Sequence, residues 1–155
     1  MTALDAQMIQ QRQMIGGVEI HRVRYAPRRM ETLATTGAMY REARGLKAIL
    51  AVPMILSMLV TTIRKLRQES TVAYGHWWIP GGLVAVLAAR CARRPSIVHL
   101  HGSDVSVAET PLMRSVARVV LRMADERLAA SEALARWGRS LCARNVDVLP
   151  MPLVF

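Results

Sequence analysis

From Ser70 onward, short apolar runs alternate with helical runs roughly every 25 residues, and this rhythm constrains the fold more than any other feature of the chain. Residues 71–74 read as a strand, 81–93 as a helix, and 96–100 as a strand held between Pro95 and Gly102. Pro111 at a first helical position, behind Thr110 as N-cap, opens a helix that runs to Met123. Residues 126–130 read as a short strand, Ser131 as the N-cap of a helix over 132–143, and 146–149 as a last strand stopped by Pro150 and Pro152. Strands alternating with helices build right-handed βαβ units and a parallel sheet. The fold class is therefore α/β, a partial Rossmann-like parallel sheet of about four strands flanked by helices. Ligands collect at the carboxyl ends of such strands. That rule selects three loops: residues 75–82, residues 101–106, and Ser131.

Ahead of Ser70 the pattern is less regular. Gly16-Gly17 signals a turn, and residues 18–25 alternate apolar and charged, as a strand with one wet face does. Residues 1–13 are polar and lack the apolar run of a signal peptide. Residues 39–66 read as helical, with a kink expected at Pro53. The greasiest stretch, residues 48–63, is shorter than the ~20 residues of a spanning helix and is expected to lie on the sheet or on a bilayer surface.

A chain of 155 residues with 52% hydrophobic and 21% charged residues is long and apolar enough to fold around a core, which excludes a disordered segment. The net charge of +10 suits anionic partners, or else is a solvated Arg-rich surface. Arg22, Arg24, Arg28 and Arg29 cluster around Tyr25 and Pro27, and Arg28 and Arg29 are the candidates for a phosphate or an anionic membrane surface. A nucleic-acid module would interleave aromatics with its basic residues, and 5% aromatic residues do not supply that, so no nucleic-acid partner is expected. Cys91 and Cys142 follow no disulfide or zinc-ribbon spacing, which fits a cytoplasmic protein.

The first loop, His76-Trp77-Trp78-Ile79-Pro80-Gly81-Gly82, follows a strand and opens a helix. Gly81 and Gly82 would let a ligand approach the backbone, or would serve a tight turn. Neither a P-loop nor a dinucleotide-binding glycine pattern occurs. The second loop follows His99 and contains His101-Gly102-Ser103-Asp104. His99 and His101, two apart on a strand, face the same side. An imidazole at the strand end can donate to a phosphate or sugar oxygen or move a proton, and Asp104 can orient it or cap the next segment. A metal reading needs three protein ligands, and here only His76 and Asp104 could join the pair, so no metal is expected. Ser131 is either a plain N-cap or a ligand contact.

Taken in order, several segments resemble the N-terminal domain of the family 4 glycosyltransferases, the N-terminal half of a GT-B fold. They are residues 17–27 (Gly17 to Pro27), His76 to Gly82, His101-Gly102-Ser103-Asp104, Ala124-Asp125 leading to Ala130-Ser131-Glu132, and Val148 to Pro152. The resemblance implies residues 17–152 as the acceptor-side domain, 1–16 as a leader outside the family, and 153–155 as the start of an interdomain linker. It implies hexosyl transfer from a nucleotide-sugar to a glycan or lipid-linked acceptor, with retention and without a metal or other cofactor. It matches His101 to the family's histidine at the reacting sugar, with His76, Trp77, Gly81, Gly82, Gly102, Ser103, Asp104 and Ser131 on the substrate. The nucleotide would be held mainly by a C-terminal domain, so these residues alone are expected to be inactive. The setting it implies is polysaccharide biosynthesis, cytoplasmic and peripheral on the inner face of the membrane. Two other readings remain: a metal-dependent hydrolase using His99 and His101, and a non-catalytic basic protein that binds a membrane surface.

Overall fold

The computed structural model describes residues 12–27, 31 and 49–151. The chain forms two compact units, Met1–Ser57 and Met58–Phe155. In the first, strands β1 (Arg12–Ile15) and β2 (Val18–His21) pair antiparallel, with Ile15 opposite Val18. The two residues between them, Gly16 and Gly17, both have positive φ, at 57° and 82°. A two-residue turn of this kind matches the twist of the strands it joins and admits glycine at little cost.

The expected strand over 18–25 is thus cut to its first half. Beyond His21 the backbone leaves the ladder: the Tyr25 N–H donates to Glu31 Oε1 at 3.2 Å, and the Ser57 hydroxyl donates to the Arg24 carbonyl at 2.7 Å. The partner strand β1 was not expected at all. Its alternation is weak because the hairpin is wet on both sides, with Met14 and Val18 more than 60% exposed. Arg28 and Arg29 lie outside the described residues.

Helix α1 (Ala51–Gln68) carries Pro53 in its first turn, where the missing N–H has no intrahelical partner to lose. The proline therefore belongs to the first turn of the described helix; residues 39–48, over which a helix was expected to lead into a kink at Pro53, lie outside the described set. Among the described residues no helix is long and apolar enough to cross a membrane.

The second unit holds a four-stranded parallel sheet in the order β3-β4-β5-β6: Ala73–His76, Ser96–Leu100, Glu126–Ala129 and Asp147–Val148. Helix α2 (Leu83–Ala92) links β3 to β4; α3 (Ser103–Val107) and α4 (Pro111–Met123) link β4 to β5; α5 (Glu132–Cys142) links β5 to β6. This is the α/β architecture expected from the rhythm. The Thr110 and Ser131 hydroxyls accept from the N–H groups of Met113 and Leu134, so both expected N-caps form. β3 begins and ends two residues later than expected, because the turn after it folds back on Gly75.

The main core lies on the face of β4 that carries Val98 and Leu100, under Val86, Val120, Leu121, Ala135, Leu141 and Val146. A smaller cluster joins Leu59, Ile63 and Leu66 of α1 to Ala73 and to Ala85, Ala88 and Ala89 of α2. Helix α2 is buried toward both clusters, which is why it is apolar nearly all round. Because paired residues of parallel strands share a face, Tyr74, His76, Ile97 and His99 all lie opposite Val98.

Candidate active site

His76 ends β3, His101 follows β4 directly, and Ser131 follows β5, so all three stand at the carboxyl edge of one parallel sheet. His76 and His99 are register partners across β3 and β4, and His101 is one pleat further on. The result is a cluster of three imidazoles. His76 Nδ1 lies 2.9 Å from His101 Nε2, and the ring centroids of His99 and His101 are 4.6 Å apart. One of the two nitrogens in the 2.9 Å contact must carry the proton that joins them.

His99 is 1% exposed and both its ring nitrogens are engaged. Nε2 is 3.0 Å from the Leu149 carbonyl, which can only accept, so Nε2 holds the hydrogen. Nδ1 is then the acceptor for the Tyr74 hydroxyl at 2.7 Å. His99 is thus fixed as one neutral tautomer, and His101 and His76 stand above it toward solvent. Tyr74 and Leu149 were not foreseen. Tyr74 was legible, since it sits two residues before His76 on the same face of β3. The Leu149 carbonyl is a backbone atom fifty residues from His99 in sequence, and no side-chain pattern announces it.

Asp104 is fully buried. Its Oδ2 accepts the His101 N–H at 2.7 Å and its Oδ1 accepts the Trp78 N–H at 3.0 Å, while the Trp78 indole donates to the Asp104 carbonyl at 3.1 Å. One carboxylate therefore ties the turn after β4 to the turn after β3 and holds the two histidine-bearing loops together. Each oxygen accepts from a backbone donor in a fully buried position, and Asp104 positions His101 through its backbone.

Burial pushes the Asp104 carboxyl up to about 6, against the pull of the two N–H donors. Burial also lowers the pKa of His101, and the neighbouring His99 and His76 lower it further. His99 is lowered by burial first, with the Leu149 carbonyl opposing. The neutral imidazole, able both to donate and to accept, is therefore favoured at His99 and at His101.

The glycines divide into two kinds. A Cβ on Gly81 would sit 2.3 Å from the His76 carbonyl oxygen, one on Gly82 2.7 Å from the Trp77 oxygen, and one on Gly75 2.6 Å from the Gly81 oxygen. These three are demanded by the six-residue turn, Trp77–Gly82, folding back on β3. Gly102 differs: its backbone is right-handed helical and a Cβ there would meet nothing within 4 Å. Neither backbone nor packing requires glycine at 102, and the space beside His101 is open.

Trp77 is 42% exposed at φ 59°, a left-handed conformation costly for a bulky residue, and its ring centroid is 5.3 Å from that of His101. Ser103 is exposed beside Gly102. Ser131 is exposed too, but its hydroxyl caps α5.

Comparison with curated proteins finds no significant match. Residues 2–153, nearly the whole chain and including the β1–β2 hairpin, match the family described as glycosyl transferase 4-like domain. With a parallel sheet whose carboxyl edge gathers the histidines of two loops, and with that match, the chain belongs to the glycosyl transferase 4-like domain family.

Proposed function

We propose that this chain is the acceptor-side half of a retaining, metal-independent hexosyltransferase that uses a nucleotide-sugar donor and a glycan or lipid-linked acceptor. The observation that carries the reading is the meeting of His101, His76 and the open space at Gly102 on the ligand-collecting edge of the sheet. His101 contacts the reacting sugar and steadies charge as the leaving phosphate departs. Trp77 offers its exposed ring to the apolar face of a sugar, and Ser103 and His76 supply polar contacts. Gly81, Gly82 and Asp104 shape the site from behind.

The donor nucleotide is held by a second domain, so residues 1–155 alone transfer no sugar; turnover of a nucleotide-sugar by the purified chain would overturn that part. In the enzyme joined to its donor-binding domain, His101→Ala lowers kcat at least about tenfold, ~1.4 kcal/mol in barrier, with little change in melting temperature. Full turnover in that variant would refute the assignment.

The protein works at the cytoplasmic face of a membrane in polysaccharide synthesis, held there peripherally. Val52, Leu56 and Val60 form an exposed apolar stripe on α1, and Arg28 and Arg29 add positive charge. Sedimentation with anionic vesicles that weakens with salt tests this; no sedimentation at low salt would refute it.

A further inference from the structure

We infer that His76, His99 and His101 form a binding site for a zinc-class divalent cation. One ligand atom from each residue can be chosen so that all three lie within 4.8 Å of one another. Tetrahedral coordination at metal–nitrogen distances of ~2.0–2.1 Å separates ligand nitrogens by about 3.4 Å. The 2.9 Å between His76 Nδ1 and His101 Nε2 lies below that figure and the 4.8 Å limit above it, so the three rings stand at the right scale for one ion. Imidazole is a ligand that suits zinc, copper and nickel, and three neutral ligands leave a fourth position for water.

The deepest ligand is already oriented as metal-binding histidines are. His99 Nε2–H is held by the Leu149 carbonyl, which leaves Nδ1, with its lone pair, as the coordinating atom. That lone pair now accepts from the Tyr74 hydroxyl, which a cation would displace. His101 is held from behind through the bond of its N–H to Asp104. Two of the three ligands thus sit on a rigid strand and its anchored end, and His76, at the end of β3, is the exposed arm that closes over the ion. His76, named from the sequence as one residue that could join the pair, lies 23 residues before His99, and the parallel pairing of β3 with β4 makes them neighbours.

The binding does not depend on the transferase reading. One consequence does: an ion on His101 would exclude the sugar contact proposed for the same ring, making the cation an inhibitor.

Calorimetry with Zn²⁺ on the full chain should show one saturable site, weakened at least about tenfold in His76→Ala and in His101→Ala and unchanged in His21→Ala. Co²⁺ should give ligand-field bands without the charge-transfer band of a thiolate. In the wild-type chain it should broaden the ring signals of His76, His99 and His101 while sparing His21, a readout that needs no variant to fold. Absence of a one-to-one site, binding that survives both alanine variants, or a cobalt–thiolate band would each overturn the inference.

Discussion

At the scale of single residues, His99 and His101 differ in burial and in what their rings touch. In the metal-free protein His99 is engaged internally: its two nitrogens satisfy a tyrosine hydroxyl and a backbone carbonyl at a buried position. His99→Ala leaves both partners unpaired and should destabilise the protein by about 1–3 kcal/mol in urea or thermal unfolding; a variant as stable as the parent would show that the tyrosine–histidine–carbonyl chain adds nothing. Asp104 gives a second test. Its carboxyl is raised to about 6, so it contributes stability that is complete below its ordinary value near 3.8 and is lost as pH rises through about 6. His99 and His101, lowered from 6.5, act with the opposite sign, contributing above 6.5 and losing that contribution as pH falls. Bulk unfolding would mix these slopes. Carbon-detected titration of the Asp104 carboxyl separates them, with a midpoint near 6; a midpoint at the ordinary aspartate value would mean that the two backbone donors cancel the effect of burial. The residues of the site were legible in sequence where a side chain ends a strand, as with His76 and His101. They were not legible where the partner is a main-chain atom.

At the scale of elements, the glycines of the turn and the glycine beside His101 should respond in opposite ways. Gly81→Ala places a methyl group against the His76 carbonyl and must push the turn off β3; a cost of about 1–3 kcal/mol is expected. Gly102→Ala meets open space on a helical backbone and should change stability by less than ~0.5 kcal/mol. Equal melting temperatures for the two variants would contradict the packing account. The same contrast explains what the sequence disclosed. Caps and prolines are local, so Thr110, Pro111 and Ser131 marked their helices correctly. The start of α2 was placed two residues early, because the pair Gly81-Gly82 serves a turn that closes against a strand rather than a helix end. Arginine was read either as charge for anionic partners or as a solvated surface. Arg118, Arg122, Arg127 and Arg139 instead turn their guanidinium groups to the carbonyls of Leu141, Cys142, Asn145 and Val146, at α5 and the chain leading to β6. Their charge remains, but their donors are partly engaged within the fold.

At the scale of the whole molecule, the part of the chain that the rhythm made legible is also the part that carries the cores. Both apolar clusters, the four parallel strands and every member of the histidine site fall within residues 58–155. Of the hairpin before them only the turn and the second strand were foreseen, and β1 was missed for a physical reason: a two-stranded element wet on both faces has little burial to impose a period on its side chains. It follows that the second unit should fold without the first. A chain of residues 58–155 keeps Leu59, Ile63 and Leu66, the three side chains by which α1 joins the smaller cluster, and loses only the first turns of that helix. Its cost is the exposure of a new helix end and the loss of Met54, which is buried but belongs to neither cluster. We therefore expect residues 58–155 to unfold cooperatively, with a midpoint within ~5 °C of the full chain, a shift that corresponds to about 1 kcal/mol for a unit of this size. The near-ultraviolet signal of Trp78, which is fully buried between the two loops, reports whether the site forms. A truncated chain that retains far-ultraviolet helix signal but loses that of Trp78 would mean that the first unit is needed to assemble the sheet edge, and the independence argued here would fall.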